Sequence, residues 1–162
     1  MGAACEHHHP KAGLRGDVLI AALDAAESAC RSAGERMTAP RRRVLELLLQ
    51  AGEPVKAYDL IAAFNDVPDG EGGVAKPPTV YRALDFLSRM GLAHRIASIS
   101  AYVACVHADA DHSAAFLICD CCGATREVAM PRSGLEASAR EAGFSLGHVT
   151  VEGHGRCEAC GA

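Results

Sequence analysis

The feature that most constrains this chain is a pair of Cys-x-x-Cys motifs near its carboxyl end. Each motif is followed at once by glycine, and 34 residues lie between Cys122 and Cys157. Two residues between thiolates let both sulfurs reach one ion, and we expect the glycine to relieve the tight turn beneath them. Four thiolates at about 2.3 Å form the usual closed structural zinc site. The spacing therefore predicts structural zinc bound by Cys119, Cys122, Cys157 and Cys160, with two disulfides or two redox pairs as the alternatives.

The length and composition suit one ordinary domain or two small ones. The 162 residues are 49% apolar, which is enough for a core, yet no run approaches the ~20 apolar residues of a membrane span. The first residues lack the order of a secretion signal, so we expect a cytoplasmic protein that does not bind membranes. In that reducing compartment eight cysteines favour metal ligands over disulfides.

Residues 14–108 carry the pattern of a winged helix-turn-helix domain, preceded by a tail over residues 1–13 that we predict to be disordered. Helical periodicity covers residues 14–33, 38–51, 57–64 and 78–90, and two short β-type segments follow at 92–97 and 101–106. In such a domain the helix at 78–90 enters the major groove of DNA, with Arg82 near base edges. The spacing of Arg82, Asp85 and Arg89 fits a solvated helix face equally well.

Charge restricts where nucleic acid can bind. The formal net charge is −4, but residues 14–95 hold 11 basic and 11 acidic residues, and the basic ones are clustered, as at Arg41, Arg42 and Arg43. Any contact with DNA must therefore come from a local basic face, because bulk charge does not supply it.

Residues 109–162 predict a small α+β domain around the cysteine motifs. Strands are expected at 115–119, 125–128 and 144–152, with a helix at 133–142. A domain of about 50 residues is close to the size below which the hydrophobic core alone does not stabilise the fold and a metal or disulfide is needed. Structural zinc sites of peptide scale release on the order of 10 kcal/mol or more, so the ion would provide that stabilisation.

A second group of metal-competent side chains brackets the joint near residues 108–111. Its members are His94, Cys105, His107, His112 and Glu127. Four ligands of mixed nitrogen, sulfur and oxygen type suit tetrahedral zinc. Because a thiolate shifts the preference away from Fe(II) and Mn(II), this group favours zinc.

The segment from Pro77 to Leu87, Pro-Pro-Thr-Val-Tyr-Arg-Ala-Leu-Asp-Phe-Leu, together with both cysteine motifs, resembles the ferric uptake regulator family, and within it the zinc uptake regulator branch. The resemblance covers about residues 14–161. It implies a winged-helix domain, an α+β dimerisation domain, and a homodimer on palindromic double-stranded operator DNA. It also implies two zinc ions per chain, one structural and one regulatory. The implied regulatory ligands are His94, Cys105, His112 and Glu127, and the implied DNA contacts are Tyr58 and Arg82 at bases and Arg41, Arg42 and Lys56 at phosphates.

The sequence thus predicts a zinc-responsive transcriptional repressor of zinc uptake or homeostasis genes, with no small-molecule substrate. It is not expected to be an enzyme, since no catalytic set or phosphate-binding glycine loop is apparent. One alternative is a sensor of iron, manganese or peroxide from the same family. The other is a thiol oxidoreductase that uses Cys119 and Cys122.

Overall fold

Four helices and a small sheet make up the first part of the chain. The helices are α1 (Gly16–Ser32), α2 (Ala39–Ala51), α3 (Ala57–Asn65) and α4 (Pro77–Arg89), and the strands are β1 (Val55–Lys56), β2 (Ala93–Ile96) and β3 (Ala101–Ala104). The strands are antiparallel in the order β1-β3-β2. The predicted helices are present, but the predicted two-stranded hairpin has a third strand. Sequence periodicity missed β1 because two residues are too few to show alternation.

This computed structural model describes residues 13–66, 76–105, 113–131, 133–147 and 149–161. The predicted tail, apart from residue 13, lies outside these ranges. The chain divides into two units, Lys11–Val106 and His107–Ala162. The predicted boundary after residue 108 falls among residues that are not described, so it stays a prediction. Within the described ranges, no helix is long and apolar enough to cross a membrane.

The core of the first unit lies between its helices. Val44 and Leu48 of α2 and Leu84 and Leu87 of α4 are each 0% exposed. They recur every three or four residues, so each helix buries one stripe and leaves the opposite face to solvent. That leaves Arg82, Asp85 and Arg89 of α4 exposed, as the spacing predicts.

Glycine ends α4 and turns the chain directly into the sheet. Gly91 has a φ of 69°, and the amide of Leu92 donates to the carbonyl of Leu87 across 2.9 Å. This is the hydrogen bond of a Schellman motif, in which the left-handed position favours glycine. This turn places β2, and with it His94, directly after α4, one face of which is exposed.

The second unit is a three-stranded sheet with one helix. It contains β4 (Ser113–Cys119), β5 (Thr125–Met130), α5 (Ser133–Glu141), β6 (Thr150–Gly155) and a short 3-10 helix at Glu158–Cys160. The order is β5-β4-β6, with β5 antiparallel and β6 parallel to β4. Because β4 lies in the centre, its carboxyl end adjoins both the turn before β5 and the end of β6.

The last strand begins later than the sequence predicts. The expected segment was 144–152, but β6 starts at Thr150, and Phe144 is 68% exposed. The amide of Phe144 donates to the carbonyl of Ala139 at 2.7 Å, next to Gly143 with a φ of 79°. Phe144 therefore belongs to the turn that ends α5 and not to a strand, which the apolar pattern alone did not reveal.

Candidate metal centres and nucleic-acid interface

The four predicted structural ligands converge at one end of the second unit. The Sγ atoms of Cys119, Cys122, Cys157 and Cys160 all lie within 4.8 Å of one another, and those of Cys122 and Cys157 are 3.7 Å apart. A tetrahedron with metal–sulfur distances of about 2.3 Å has sulfur–sulfur edges of about 3.8 Å. All four are free thiols. The donor set therefore fits zinc, and the alternative of two disulfides among these residues is wrong.

The sheet brings the two motifs together. Cys119 ends β4, where the parallel register places it opposite Gly155 of β6, and the Cys157 amide donates to the Cys119 Sγ at 3.3 Å. Gly123 has a φ of 73°, as expected for the turn beneath the first pair. The same expectation is wrong for Gly161, whose φ is −93°. Glycine is favoured there by space instead, since a Cβ would lie 3.1 Å from the Cys157 carbonyl oxygen.

The thiols differ in how readily each loses its proton. Backbone amides of Cys122 and Cys157 donate to the sulfur of Cys119 and lower its pKa to about 6. The amide of Ala124 lowers the pKa of Cys122, but burial and the Cys119 sulfur outweigh it and raise that pKa overall. Burial, together with the other sulfurs, raises the pKa of Cys160 to about 12. Four sulfurs this close resist simultaneous ionisation unless a cation is among them.

Two neighbours of the cluster were not singled out as ligands and do not join it. Cys121 is exposed and disulfide-bonded, so it is not a spare thiol for the ion. His154 Nδ1 lies 3.1 Å from Asp120 Oδ1, which ties β6 to the turn that carries the first motif.

Two of the predicted regulatory ligands lie together in the first unit. His94 is on β2, and the amide of Cys105, just past β3, donates to the carbonyl of Leu92 at 3.0 Å. A ring nitrogen of His94 lies within 4.8 Å of the Cys105 Sγ, which is a free thiol. Glu127 is half-buried on β5 in the second unit, opposite Phe116. His112 lies outside the described residues.

The predicted base-reading residues are accessible. Tyr58 near the start of α3 is 79% exposed, and Arg82 of α4 and Lys56 of β1 are also exposed. Among the residues that the structure describes, neither Arg82 nor Lys56 has a carboxylate partner. These charges are therefore available to an anionic ligand.

The arginine cluster 41–43 has three different environments. Arg42 contacts Asp24 at 3.2 Å and Glu27 at 3.3 Å, and Arg43 contacts Glu46 at 2.9 Å. Arg41 instead lies 3.5 Å over the Phe86 ring and donates to the carbonyl of Arg36. Sequence patterns gave no sign of this division, because Phe86 reads simply as an apolar position.

Arg41 and Arg82 also meet at one surface concavity. Its volume is about 160 Å³, and it is lined by Thr38, Arg41, Thr79, Arg82 and Ala83. Thr38 is the N-cap residue of α2, but its hydroxyl makes no capping hydrogen bond and therefore remains available to the concavity.

Residues 32–161 match the Ferric uptake regulator family. The chain belongs to this family. It is 39% identical over 143 residues to the zinc uptake regulation protein of Escherichia coli strain K12, spanning 85% of this chain and 80% of that protein. The structure of a zinc uptake regulator complexed with zinc and DNA has 36% identity and a TM-score of 0.75, covering 89% of this chain and 95% of that one.

The crystal structure of holo XcZur is similarly related, with 43% identity, a TM-score of 0.72, and coverage of 84% of this chain and 94% of that one. These likenesses confirm the predicted family, its zinc uptake regulator branch and the α+β fold. Family members are transcription regulators, so the alternative of a thiol oxidoreductase is wrong.

Proposed function

We propose that this protein is a zinc-responsive transcriptional repressor that acts in the cytoplasm as a homodimer on palindromic operators of zinc uptake genes. The observation that carries this proposal is the pairing of the His94 imidazole on β2 with the Cys105 thiol just past β3, in the hairpin that follows α4 and its exposed face. The kinship with a zinc uptake regulator complexed with zinc and DNA supports it.

Two zinc ions per chain are proposed, with different tasks. The four cysteines at the end of the second unit would hold a structural ion, since a closed four-thiolate set leaves no position open for exchange. The regulatory ion would be held by His94, Cys105, His112 and Glu127. The Cys105 thiolate supports zinc at that site over iron or manganese.

Regulation follows from differential binding. A ligand shifts a conformational equilibrium only by as much as it prefers one state over the other. The four regulatory residues would bind zinc more tightly in the state that fits the operator. By thermodynamic reciprocity, operator DNA would then tighten zinc binding by the same factor.

The DNA surface is proposed to use two kinds of contact. Tyr58 and Arg82, both exposed, would read base edges in the major groove. Arg41, Arg42 and Lys56 would contact phosphates, which position the protein without reading sequence. For Arg42 the ion pairs with Asp24 and Glu27 compete with this role.

The decisive variant is Cys105→Ser. It should keep a folded protein and its structural zinc but lose zinc-dependent operator binding, measured by fluorescence anisotropy over buffered free zinc. Cys30→Ala is the control, because Cys30 is a fully buried free thiol of the same unit that does not belong to the His94 ligand group. Undiminished zinc dependence in Cys105→Ser, or activation by Fe(II) or Mn(II) at lower free concentration than zinc, would contradict the proposal.

Base reading is tested by Arg82→Ala. This variant should lose about 1–3 kcal/mol of operator binding and relax base preference at one position per half-site. Selection from a randomised duplex library measures that preference. An equal loss on all sequences would make Arg82 a phosphate contact instead.

A further inference from the structure

Three consecutive arginines of α2 differ in whether their charge is paired with a carboxylate. Arg42 forms an ion pair with Asp24 at 3.2 Å, and Arg43 forms one with Glu46 at 2.9 Å. Within the described residues, Arg41 has no carboxylate partner and lies over the ring of Phe86 at 3.5 Å. Arg41 alone of the three therefore presents an uncompensated charge.

Phe86 holds that charge in one place. Its side chain is 2% exposed and packed in the core of the first unit, so the ring is a fixed platform. A guanidinium stacked on a ring keeps its in-plane N–H groups available, because the aromatic contact uses only the flat face. The carbonyl of Arg36 accepts from one of these groups, which further restricts the side chain.

The residues around Arg41 suit an anionic group whose oxygens accept several hydrogen bonds at once. The concavity of about 160 Å³ adds the Arg82 guanidinium and the hydroxyls of Thr38 and Thr79. In the described part of the chain neither hydroxyl has a hydrogen-bond partner. The Arg41 guanidinium held on the Phe86 ring and two hydroxyl donors match the oxygens of a phosphate group, while the exposed Arg82 at the same concavity remains available to a base edge.

We propose that Arg41, positioned by Phe86, is the principal phosphate anchor of the DNA surface, and that one backbone phosphodiester binds in this concavity with the Thr38 and Thr79 hydroxyls. The inference rests on the proposed DNA-binding function and deepens it. It assigns a positioning role to a core aromatic and separates Arg41 from its neighbour Arg42, which the family resemblance presents as an equivalent phosphate contact.

The test measures salt dependence with the zinc-loaded, full-length protein. The probes are a duplex selected by the wild type from a random library and a scrambled duplex of equal length. Each phosphate neutralised contributes a slope of about 0.9 in the logarithm of the binding constant against that of salt concentration. Arg41→Gln should lower the slope by about that amount per bound chain and weaken both duplexes by roughly tenfold.

The control is Arg43→Gln, which removes the same charge from the adjacent position and should leave slope and affinity unchanged. Phe86→Leu should weaken binding when Arg41 is present but add little loss in the Arg41→Gln background, because its role is to hold that one charge; a general structural defect would weaken both equally. Circular dichroism checks that each variant is folded, since a purely structural defect lowers the active fraction and not the slope.

Equal slopes for Arg41→Gln and Arg43→Gln, or unchanged affinity in a folded Phe86→Leu, would overturn the inference while leaving the proposed function intact. If the zinc-loaded wild type bound neither duplex, the proposed function would fail, and the inference with it.

Discussion

The two units of this protein are stabilised by different means. In the first, four helices surround a core in which Val44, Leu48, Leu84 and Leu87 are completely buried. In the second, the described apolar residues that are buried, besides two cysteines, are Ala115, Phe116 and Ile118. A hydrophobic core of that size cannot offset the conformational entropy of the strands and helix around it. We therefore expect zinc at the four cysteines to stabilise the second unit in place of a large core, which the first unit already has.

Under the proposed function, this difference separates the ion that stabilises a unit from the ion that regulates DNA binding. A closed four-thiolate cluster that folds a unit must stay loaded over the working range of zinc, so it is a poor sensor. The pair of His94 and Cys105 lies in the first unit, whose buried helical core we expect to fold without metal. Loss of an ion there would cost little stability, which is the property that a reversible switch requires.

The largest expected effect is the loss of the second unit in Cys160→Ser. Cys160 is 9% exposed and surrounded by the other three sulfurs, so a hydroxyl removes one ligand from a site that has no substitute. We expect the β-sheet signal and one zinc per chain to be lost, while the helices of the first unit remain. Circular dichroism and zinc analysis after dialysis measure both.

The matched control for that variant is Cys105→Ser. It also removes one thiolate ligand but should leave the second unit folded, with only one zinc lost. If Cys160→Ser kept its sheet and its structural zinc, the contrast between the two units would be wrong.

A smaller effect, confined to the other unit, is expected from Leu48→Ala. Leu48 is 0% exposed in the core between the helices, and truncating such a residue costs about 2–5 kcal/mol. Chemical denaturation followed at a helical wavelength should show the same loss with and without a zinc chelator. A loss that doubled on chelation would mean that the first unit also depends on metal.

The sequence predicted the features that repeat or carry a fixed spacing. The stripe of Val80, Ala83, Leu84 and Leu87 determined α4, and two Cys-x-x-Cys motifs determined the cluster, because helix periodicity and ligand geometry are both local. It did not predict β1, since the pairing of Val55 with Tyr102 depends on a partner 47 positions away.

The sequence also did not predict which partner each arginine of α2 contacts. Arg43 pairs with Glu46 three residues later on the same helix, but only the approach of α1 and α4 decides that Arg42 meets carboxylates and that Arg41 meets Phe86. The start of β6 was misplaced because Phe144 is apolar yet belongs to the end of α5. The arginine pattern was overridden by tertiary contacts, and the apolar pattern at Phe144 by a local helix-ending turn at Gly143.

The smallest expected effect is at the surface of the first unit, where an exposed ion pair should stabilise the fold far less than a buried leucine does. Asp24→Asn removes one of the two carboxylates that contact Arg42, a pair separated by 3.2 Å in which Asp24 remains 64% exposed. Exposed pairs contribute about 0–1 kcal/mol because water and salt screen them, and Glu27 still holds Arg42. We expect a loss below about 1 kcal/mol in denaturation at low salt, and no loss near 1 M salt, where the Debye length is about 3 Å. A loss as large as that of Leu48→Ala, persisting at high salt, would mean that this ion pair and not apolar burial fixes α1 against α2.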